Sequence, residues 1–419
     1  MTDPTQLSHS HSNGDVASDE LFNASPTYSP GAYEAVDYYA INELLTAEER
    51  AQRDRVRTFV TEEVKPIIEK HAQEVTFPGH LVKGLAELGV LGPNLPVEHG
   101  GGGLSDVTYG LMMQEIERGD SGLRSFCSVQ SSLVMYPIWR YGSEEQRQYW
   151  LPRLASGEAI GCFALTEPNH GSNPAGMETR ARREGDAYVI TGHKRWSTNA
   201  SEADVCVVWA RDEEGDVRGF LVELDREGVT APRIMDKWSL RAAITSEVVF
   251  EEVRIPAANM LPKAKGLGGP LSCLNQARFG ICWGVMGAAM DCYDAALQHA
   301  RNRTQFDRPI GGFQLIQERL VDMVQEITKA QLLNLRLGRL KEAGTMRPQQ
   351  VSLAKRNNCQ AALDICRSAR QVLGGDGVLG MYPVMRHMAN LESVVTYEGT
   401  HEVHTLIVGQ DVTGENAFT

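Results

Sequence analysis

Residues 187–198 read AYVITGHKRWST, a stretch in which apolar and β-branched residues alternate with polar ones. This period of two is the pattern of a β-strand that buries one of its faces. Charged turns that contain glycine, such as DEEGD, separate it from further runs of the same kind. Those runs are DVCVVWAR (204–211), RGFLVELD (218–225) and SEVVFEEVRIP (246–256). The sequence therefore predicts a small antiparallel β-barrel or sandwich at residues 159–264.

Helical patterns precede this β segment. Thr46 is followed by Glu49, and Ser143 by Gln146, each at the start of a run with helical periodicity. A Ser or Thr with Glu or Gln three residues later forms a capping box, which marks the first turn of a helix. We therefore predict an N-terminal α-helical domain at 37–158. Residues 1–36 are rich in Ser, Pro and Gly and predict a disordered tail.

Helical patterns also follow the β segment and continue to the end of the chain. Their periodicity predicts four long helices, which would form a C-terminal four-helix bundle at residues 265–419. The predicted helices cover residues 268–303, 313–343, 347–373 and 383–410. The predicted fold class is mainly α with a central β domain, in the order α, β, α.

Composition limits the classes of function. A net charge of −13 argues against a nucleic-acid partner or an anionic membrane surface. The eight cysteines form no C-x-x-C pair, which predicts reduced core thiols. The apolar run at 279–290 is too short to cross a bilayer and predicts a buried helix. The first basic residue is Arg50, unlike an Arg-rich presequence. We expect a soluble cytoplasmic protein.

The stretch TYEGTHEVHTLI (396–407) contains the pattern H-E-V-H, in which His401 and His404 are three residues apart. The zinc-protease helix requires H-E-x-x-H, with the histidines four apart. Residues three apart can still share a helix face, but the stretch offers no third nitrogen or sulfur ligand. We therefore predict no metal site, and the role of Glu398 has to be explained in another way.

Six motifs, taken in order, resemble those of the acyl-CoA dehydrogenase family. They are ALTEPNHGSNP (164–174), KRWSTN (194–199), ARFG (277–280), RTQFDRPI (303–310), QVLGGDG (371–377) and YEGT (397–400). The resemblance runs from Asp37 to Phe418. Within the family, the stretches 128–146 and 390–404, with Arg124 before them, look most like the glutaryl-CoA dehydrogenases.

The resemblance implies FAD as cofactor, although no G-x-G-x-x-G fingerprint follows a strand. It places one group of residues beside the isoalloxazine ring: Phe163, Ala164, Leu165, Thr166, Trp196, Ser197 and Thr198. Ser172 would be a further cofactor contact. A second group would hold the pyrophosphate and adenine, partly of a neighbouring subunit's cofactor: Arg303, Phe306, Gln314, Gln371, Gly374, Gly375, Thr400, Glu402 and Phe418. Sites shared in this way imply an oligomer, by analogy a homotetramer.

The resemblance also implies the chemistry. Glu398 would remove the α-proton of an acyl-CoA, with Gly399 next to it allowing close passage over the substrate. Arg124 would bind the distal carboxylate of glutaryl-CoA, assisted by Ser125, Ser128, Glu117 and Tyr397. The CoA chain would contact Ser172, Asn275 and Arg278. The implied reaction is oxidative decarboxylation of glutaryl-CoA to crotonyl-CoA and CO2, a step of lysine and tryptophan degradation.

Other functions remain open. A monofunctional short- or branched-chain acyl-CoA dehydrogenase would share every motif, and a flavin oxidase or oxygenase could use the same frame. A catalytically silent FAD- or CoA-binding assembly protein would not need both Glu398 and Arg124. By analogy, the electron acceptor is an electron-transferring flavoprotein. Three positions depart from the family pattern: Asn173, Ser197 and Asp307.

Overall fold

The computed structural model describes residues 35–418 together with residues 29, 31 and 33. The tail predicted at 1–36 therefore lies almost entirely outside the described residues. In the described part of the chain, no helix has a segment long and apolar enough to cross a bilayer.

Seven helices form the N-terminal part of the described chain. The predicted capping boxes at Thr46–Glu49 and Ser143–Gln146 are both present and begin the first and the last of these helices. A π-helical turn, Val60–Val64, joins the first two. The helices are α1 Ala47–Phe59, α2 Lys65–Glu74, α3 Leu81–Glu87, α4 Asp106–Gly119, α5 Ser121–Ser128, α6 Tyr136–Tyr141 and α7 Glu144–Ala155.

The middle of the chain forms one curled sheet of seven strands. Their order is β1-β4-β2-β3-β7-β6, and β5 pairs with β4. The strands are β1 Gly161–Ala164, β2 Arg180–Glu184, β3 Ala187–Thr198, β4 Val205–Arg211, β5 Val217–Glu223, β6 Val229–Thr230 and β7 Thr245–Pro256. The predicted central β domain is confirmed.

The sheet is mixed rather than purely antiparallel as expected. β4 runs parallel to β1 and meets β2 in a parallel pair, whereas the β2–β3, β3–β7, β4–β5 and β6–β7 pairs are antiparallel. Parallel neighbours need a long connection. Strands β2 and β3 supply it, because the chain passes through both between β1 and β4.

Five helices and a short hairpin form the C-terminal part. The hairpin strands are β8 Thr304–Gln305 and β9 Arg308–Pro309. The helices are α8 Gly268–Asn302, α9 Gln314–Glu342, α10 Pro348–Val372, α11 Val384–Val394 and α12 His401–Thr413. The single helix predicted at 383–410 is wrong, because the chain leaves the helical conformation between Val394 and His401.

Helix α8 lies at the centre of the molecule. Its residues 279–290 are buried, as the apolar run predicted, and it packs against both α4 and α10. All eight cysteines are buried free thiols, as expected. The interruption between α11 and α12 lies next to this three-helix contact, and it carries Glu398.

Candidate active site

The turn between α11 and α12 has an unusual backbone. Glu398 has a φ of 54° and Gly399 a φ of 101°, so two consecutive residues adopt left-handed conformations. For a glutamate this conformation costs roughly 1–3 kcal/mol and persists only where surrounding contacts fix it. Thr400 then caps α12 by accepting a hydrogen bond from the Val403 N–H at 3.2 Å. The chain thus projects Glu398 from a strained turn rather than from a helix face.

The carboxyl group of Glu398 lies in an enclosed, polar setting. Its Oε2 atom is shielded from water and has no hydrogen-bond partner within the described chain. Burial raises the pKa of Glu398 above its ordinary value, and the positive charges of Arg124, Lys355 and Arg278 offset part of that rise. A carboxylate of raised pKa with an open oxygen atom is suited to act as a general base.

Two buried cations hold the backbone on which Glu398 lies. Arg278 Nε donates a hydrogen bond of 2.7 Å to the Glu398 carbonyl, and Lys355 Nζ donates one of 2.9 Å to the Gly399 carbonyl. Arg278 was predicted to contact CoA. Its Nη1 donates a hydrogen bond of 3.2 Å to Oδ1 of Asn275, the other predicted CoA contact.

Arg124 is the third cation that acts on the Glu398 carboxyl group, and it has an exposed fraction of 1%. Its Nε donates a hydrogen bond of 2.6 Å to Glu117 Oε2, and its Nη2 donates to the Tyr397 hydroxyl. Ser125 Oγ is 3.4 Å from the same hydroxyl. The structure therefore brings together Arg124, Ser125, Glu117 and Tyr397.

Several polar groups around Arg124 are left without partners inside the described chain. Nη1 of Arg124 makes no hydrogen bond there, and Glu117 Oε1 and the buried Ser128 Oγ have no partner either. A buried polar group without a partner costs about 1–3 kcal/mol. A site that leaves several such groups together is arranged for a polar ligand or for water.

Glycine 284 makes this ion pair sterically possible. A Cβ atom at Gly284 on α8 would lie 2.1 Å from Glu117 Oε2 and 3.2 Å from Arg124 Nε. Any larger residue would have to displace the pair. Neither Gly284 nor Lys355 was predicted, because a glycine inside an apolar helix and a lysine inside a helical run carry no local signal for such a contact.

The predicted flavin-ring residues lie on two neighbouring segments, the end of β1 with the loop after it and the end of β3. Phe163 and Ala164 end β1, an edge strand that pairs only with β4 in the described sheet. Trp196 has a φ of 64° at a bulge of β3 and is 53% exposed, while Ser197 beside it is buried and Thr198 is half-buried. A bulge re-aims a side chain, and here it presents an indole to solvent.

Buried contacts fix the backbone of Leu165 and Thr166. Lys194 Nζ donates to the Leu165 carbonyl at 3.0 Å, and the Arg195 N–H donates to the Thr166 carbonyl at 2.8 Å. Glu167 pairs with Lys194 at 2.9 Å. An exposed aromatic face beside an edge strand with a fixed backbone fits a planar isoalloxazine ring.

Most of the predicted diphosphate and adenine residues face solvent. Phe306 is 87% exposed in the two-residue turn between β8 and β9, where it and Asp307 both have positive φ values. The other exposed members of this group are Arg303, Gln314, Gln371, Gly374, Gly375, Glu402 and Phe418, and Thr400 is half-buried. Ser172 and Asn173 are exposed in the loop after β1. In the described chain no hydrogen bond joins this group to the flavin-ring residues.

The second histidine of H-E-V-H, His404, lies next to Gly399. His404 is fully buried, and a Cβ atom on Gly399 would lie 2.9 Å from its Nε2. Burial and the nearby cations Lys355 and Arg278 lower its pKa to about 3, so the imidazole is neutral. Two cations next to an imidazole oppose the approach of a metal ion, which is the physical argument for the prediction of no metal site.

Models of the three acyl-CoA dehydrogenase domains match the chain. The N-terminal domain matches residues 46–158, the middle domain 162–253 and the C-terminal domain 264–413.

Individual proteins are similar over almost the whole chain. A glutaryl-CoA dehydrogenase structure from Mycobacterium smegmatis is 56% identical, with a TM-score of 0.89, over 90% of this chain and 98% of that one. A glutaryl-CoA dehydrogenase from the same organism in complex with FADH2 is 49% identical, with a TM-score of 0.91, over 93% and 100%. The mitochondrial short-chain specific acyl-CoA dehydrogenase of Bos taurus is 36% identical over 85% of this chain and 88% of the relative. The chain belongs to the acyl-CoA dehydrogenase family and is an FAD-dependent enzyme of that type.

Proposed function

We propose that this enzyme oxidises and decarboxylates glutaryl-CoA, giving crotonyl-CoA and CO2. The observation that carries the proposal is the buried Arg124 beside Glu398, whose Nη1 has no hydrogen bond to the described chain. A hydrocarbon acyl chain has no use for a guanidinium group, whereas the distal carboxylate of a glutaryl group can accept from it. The glutaryl-CoA dehydrogenases of similar sequence support the same substrate.

Glu117 explains how the site holds an arginine before substrate arrives. An unpaired charge in a protein interior costs several kcal/mol, and the 2.6 Å bond to Glu117 offsets that cost. Because Glu117 accepts from Nε and Tyr397 from Nη2, Nη1 of the guanidinium remains free to bind. The hydroxyl groups of Tyr397, Ser125 and Ser128 lie in the same region and can donate to the second carboxylate oxygen.

In this proposal Glu398 is the general base. Its open Oε2 accepts the proton from Cα of the thioester, and the strained turn holds that atom in place. When bound, FAD supplies the acceptor for the hydride that leaves Cβ, and we assign the ring to the face of Trp196 and the edge of β1. The net result is a Cα–Cβ double bond with a proton on Glu398.

The decarboxylation that follows needs no further oxidant. The C–C bond to the distal carboxyl breaks, CO2 leaves, and its electron pair enters a dienolate that the thioester stabilises. Arg124 orients the carboxylate before it leaves. Protonated Glu398 then returns its proton to the γ carbon, so the base is regenerated and crotonyl-CoA is formed.

We further propose a homotetramer in which neighbouring subunits share flavin sites, with an electron-transferring flavoprotein as electron acceptor. The support is that the predicted diphosphate and adenine residues, Arg303 and Phe306 among them, are exposed. Exposed side chains are available to a cofactor that a neighbouring subunit holds.

The competing function is a monofunctional short-chain acyl-CoA dehydrogenase, which the Bos taurus relative favours. One anaerobic experiment separates the two. The purified holoenzyme is mixed with glutaryl-CoA or butyryl-CoA while flavin bleaching is followed, and the products are identified by mass. We expect rapid bleaching by glutaryl-CoA and one crotonyl-CoA with one CO2 for each flavin reduced. Glutaconyl-CoA as the final product, or a preference for butyryl-CoA, would contradict the proposal.

The assignment of the base is tested by Glu398→Gln. The amide keeps the size of the side chain but cannot accept the α-proton. We expect the variant to retain FAD and to lose roughly 10²–10⁴ in bleaching rate, the usual cost of removing a general base. Undiminished bleaching would show that another group is the base.

A further inference from the structure

Lys355 is a buried cation whose position no structural ion pair explains. It lies on α10 with an exposed fraction of 1%, and no carboxylate of the described chain lies within salt-bridge distance of its Nζ. Lys194, another buried lysine, pairs with Glu167 at 2.9 Å. Because burying an ammonium group without a counter-charge is costly, Lys355 needs a different reason to be there.

The contacts of Lys355 lie entirely around the Glu398 turn. Its one hydrogen bond goes to the Gly399 carbonyl, next to the carbonyl that Arg278 holds. The neutral ring of His404 occupies the space next to Gly399. The carbonyl groups of Glu398 and Gly399 are therefore held by side chains from α8 and α10. These contacts fix the turn in which Glu398 has its unfavourable left-handed conformation.

We propose that Lys355 is a positioning residue for the base: its ammonium group fixes the Gly399 peptide and its charge acts on the Glu398 carboxyl group. The inference rests on the proposed role of Glu398. Neither part requires contact between Lys355 and the substrate. Without Lys355, the turn would lose its conformation and the Glu398 carboxyl group would lose a nearby positive charge. These two effects explain why a lysine that costs stability occupies this position.

The charges around Glu398 make the electrostatic part measurable. Arg124, Arg278 and Lys355 all act to lower the pKa of Glu398. Burial raises the pKa of Tyr397, Tyr109 and Cys359, so these groups stay protonated between about pH 5 and 9. His404 stays neutral there, and Glu117 is paired with Arg124. Removing the charge of Lys355 should therefore raise the pKa of Glu398.

The test compares Lys355→Met with Lys355→Arg in the FAD-loaded enzyme. The methionine has a similar length but no charge or donor, whereas the arginine keeps both. Flavin bleaching by glutaryl-CoA is measured against pH, together with FAD content and Tm. For Lys355→Met we expect a bleaching rate lower by roughly 10²-fold, the loss typical of a displacement of about 1 Å.

The pH profile gives the sharper result. The base acts when deprotonated, so the rate rises with pH through the pKa of Glu398. A nearby cation lowers a carboxyl pKa by about 1–3 units. In Lys355→Met the rising limb should therefore move upward by about one unit or more, and Lys355→Arg should restore it. The Tm of the methionine variant should be at or above that of the unmodified enzyme.

Two outcomes would overturn the inference. One is an unshifted limb in Lys355→Met. The other is a fall in Tm with an equal loss of rate at every pH, which would make Lys355 a structural residue. If Lys355→Met loses FAD, the position of the rising limb of the pH profile is measured in Lys355→Gln and is judged by the same criteria. Failure of the base assignment is seen separately, because Glu398→Gln would then still be bleached.

Discussion

Helix α4 carries two buried glutamates two residues apart, and they differ in how completely their hydrogen bonds are satisfied. Residues two apart point to opposite sides of a helix. Glu115 faces α1, and Arg57 of α1 together with Arg118 of α4 itself binds both of its oxygen atoms at 2.8–3.1 Å. Glu117 lies against Gly284 of α8; Arg124 of α5 binds its Oε2, and Oε1 has no partner in the described chain.

The arginines differ in the same way. Arg118 completes its hydrogen bonds with the carbonyls of Gly31 and Arg57 and with the Thr61 hydroxyl. Arg124 keeps Nη1 open. A saturated pair stabilises one conformation of the protein, whereas a pair with open groups carries an energetic deficit that a ligand can remove. The predictions below test this difference.

The largest stability effect is expected at Glu115. Glu115→Gln leaves Arg118 buried with its charge uncompensated, and breaking a buried pair costs about 3–5 kcal/mol. Denaturant unfolding should show a loss of that size, with the ratio of kcat/KM for glutaryl-CoA to butyryl-CoA unchanged. A changed ratio would mean that Glu115 also acts on the substrate, and the comparison would fail.

The same pair should make stability depend on acid pH. Arg57 and Arg118 outweigh the effect of burial and lower the pKa of Glu115 from 4.5 to about 2. A lowered carboxyl pKa contributes stability above the unfolded pKa and loses it as pH falls towards the folded value. At 1.36 kcal/mol per unit, about 3 kcal/mol should disappear between about pH 4.5 and 2. In Glu115→Gln this contribution to the pH dependence should be absent.

A smaller effect is expected from two glycines on α8. Gly284→Ala would press a Cβ atom against Glu117 Oε2, and such overpacking costs about 1–3 kcal/mol. We expect it to lower the preference for glutaryl-CoA. Gly287→Ala is the matched control, because its Cβ atom would meet the Gln114 carbonyl at 1.8 Å instead. It should reduce stability without changing preference. If both variants changed the preference for glutaryl-CoA equally, the effect of Gly284→Ala could not be attributed to the Glu117–Arg124 pair.

The smallest expected effect is that of chelators, which should leave bleaching by glutaryl-CoA unchanged. His404 adjoins two cations. The candidate cluster found in the described chain, Asp212, Glu214 and Asp216, lies on the surface turn between β4 and β5. Loss of activity with EDTA and recovery with zinc would assign H-E-V-H a metal role after all.

Local signals in the sequence predicted much of this structure. The capping boxes at Thr46 and Ser143 involve neighbours in sequence, so they could be read directly. The break at Glu398 could not, because Arg278 and Lys355 fix that turn from distant helices. For the same reason Lys355 looked like any helical lysine. Nothing local separates Glu115 from Glu117, since the difference lies in the partners that the fold brings to each.

The central claim is that the Glu117–Arg124 pair recognises a distal carboxylate. Arg124→Met alone would leave Glu117 buried and unpaired, so both substrates would suffer. The double variant Glu117→Gln/Arg124→Met removes both charges and leaves no ion uncompensated. The measurement is the ratio of kcat/KM for glutaryl-CoA to that for butyryl-CoA.

In the double variant the bound glutaryl carboxylate would have no cationic partner, at a cost of about 3–5 kcal/mol. With about 1.4 kcal/mol for each factor of ten, the ratio should fall by roughly 10²–10³ or more, chiefly through glutaryl-CoA. An unchanged ratio would contradict the account, because the Glu117–Arg124 pair would then be structural in the same sense as the pair at Glu115.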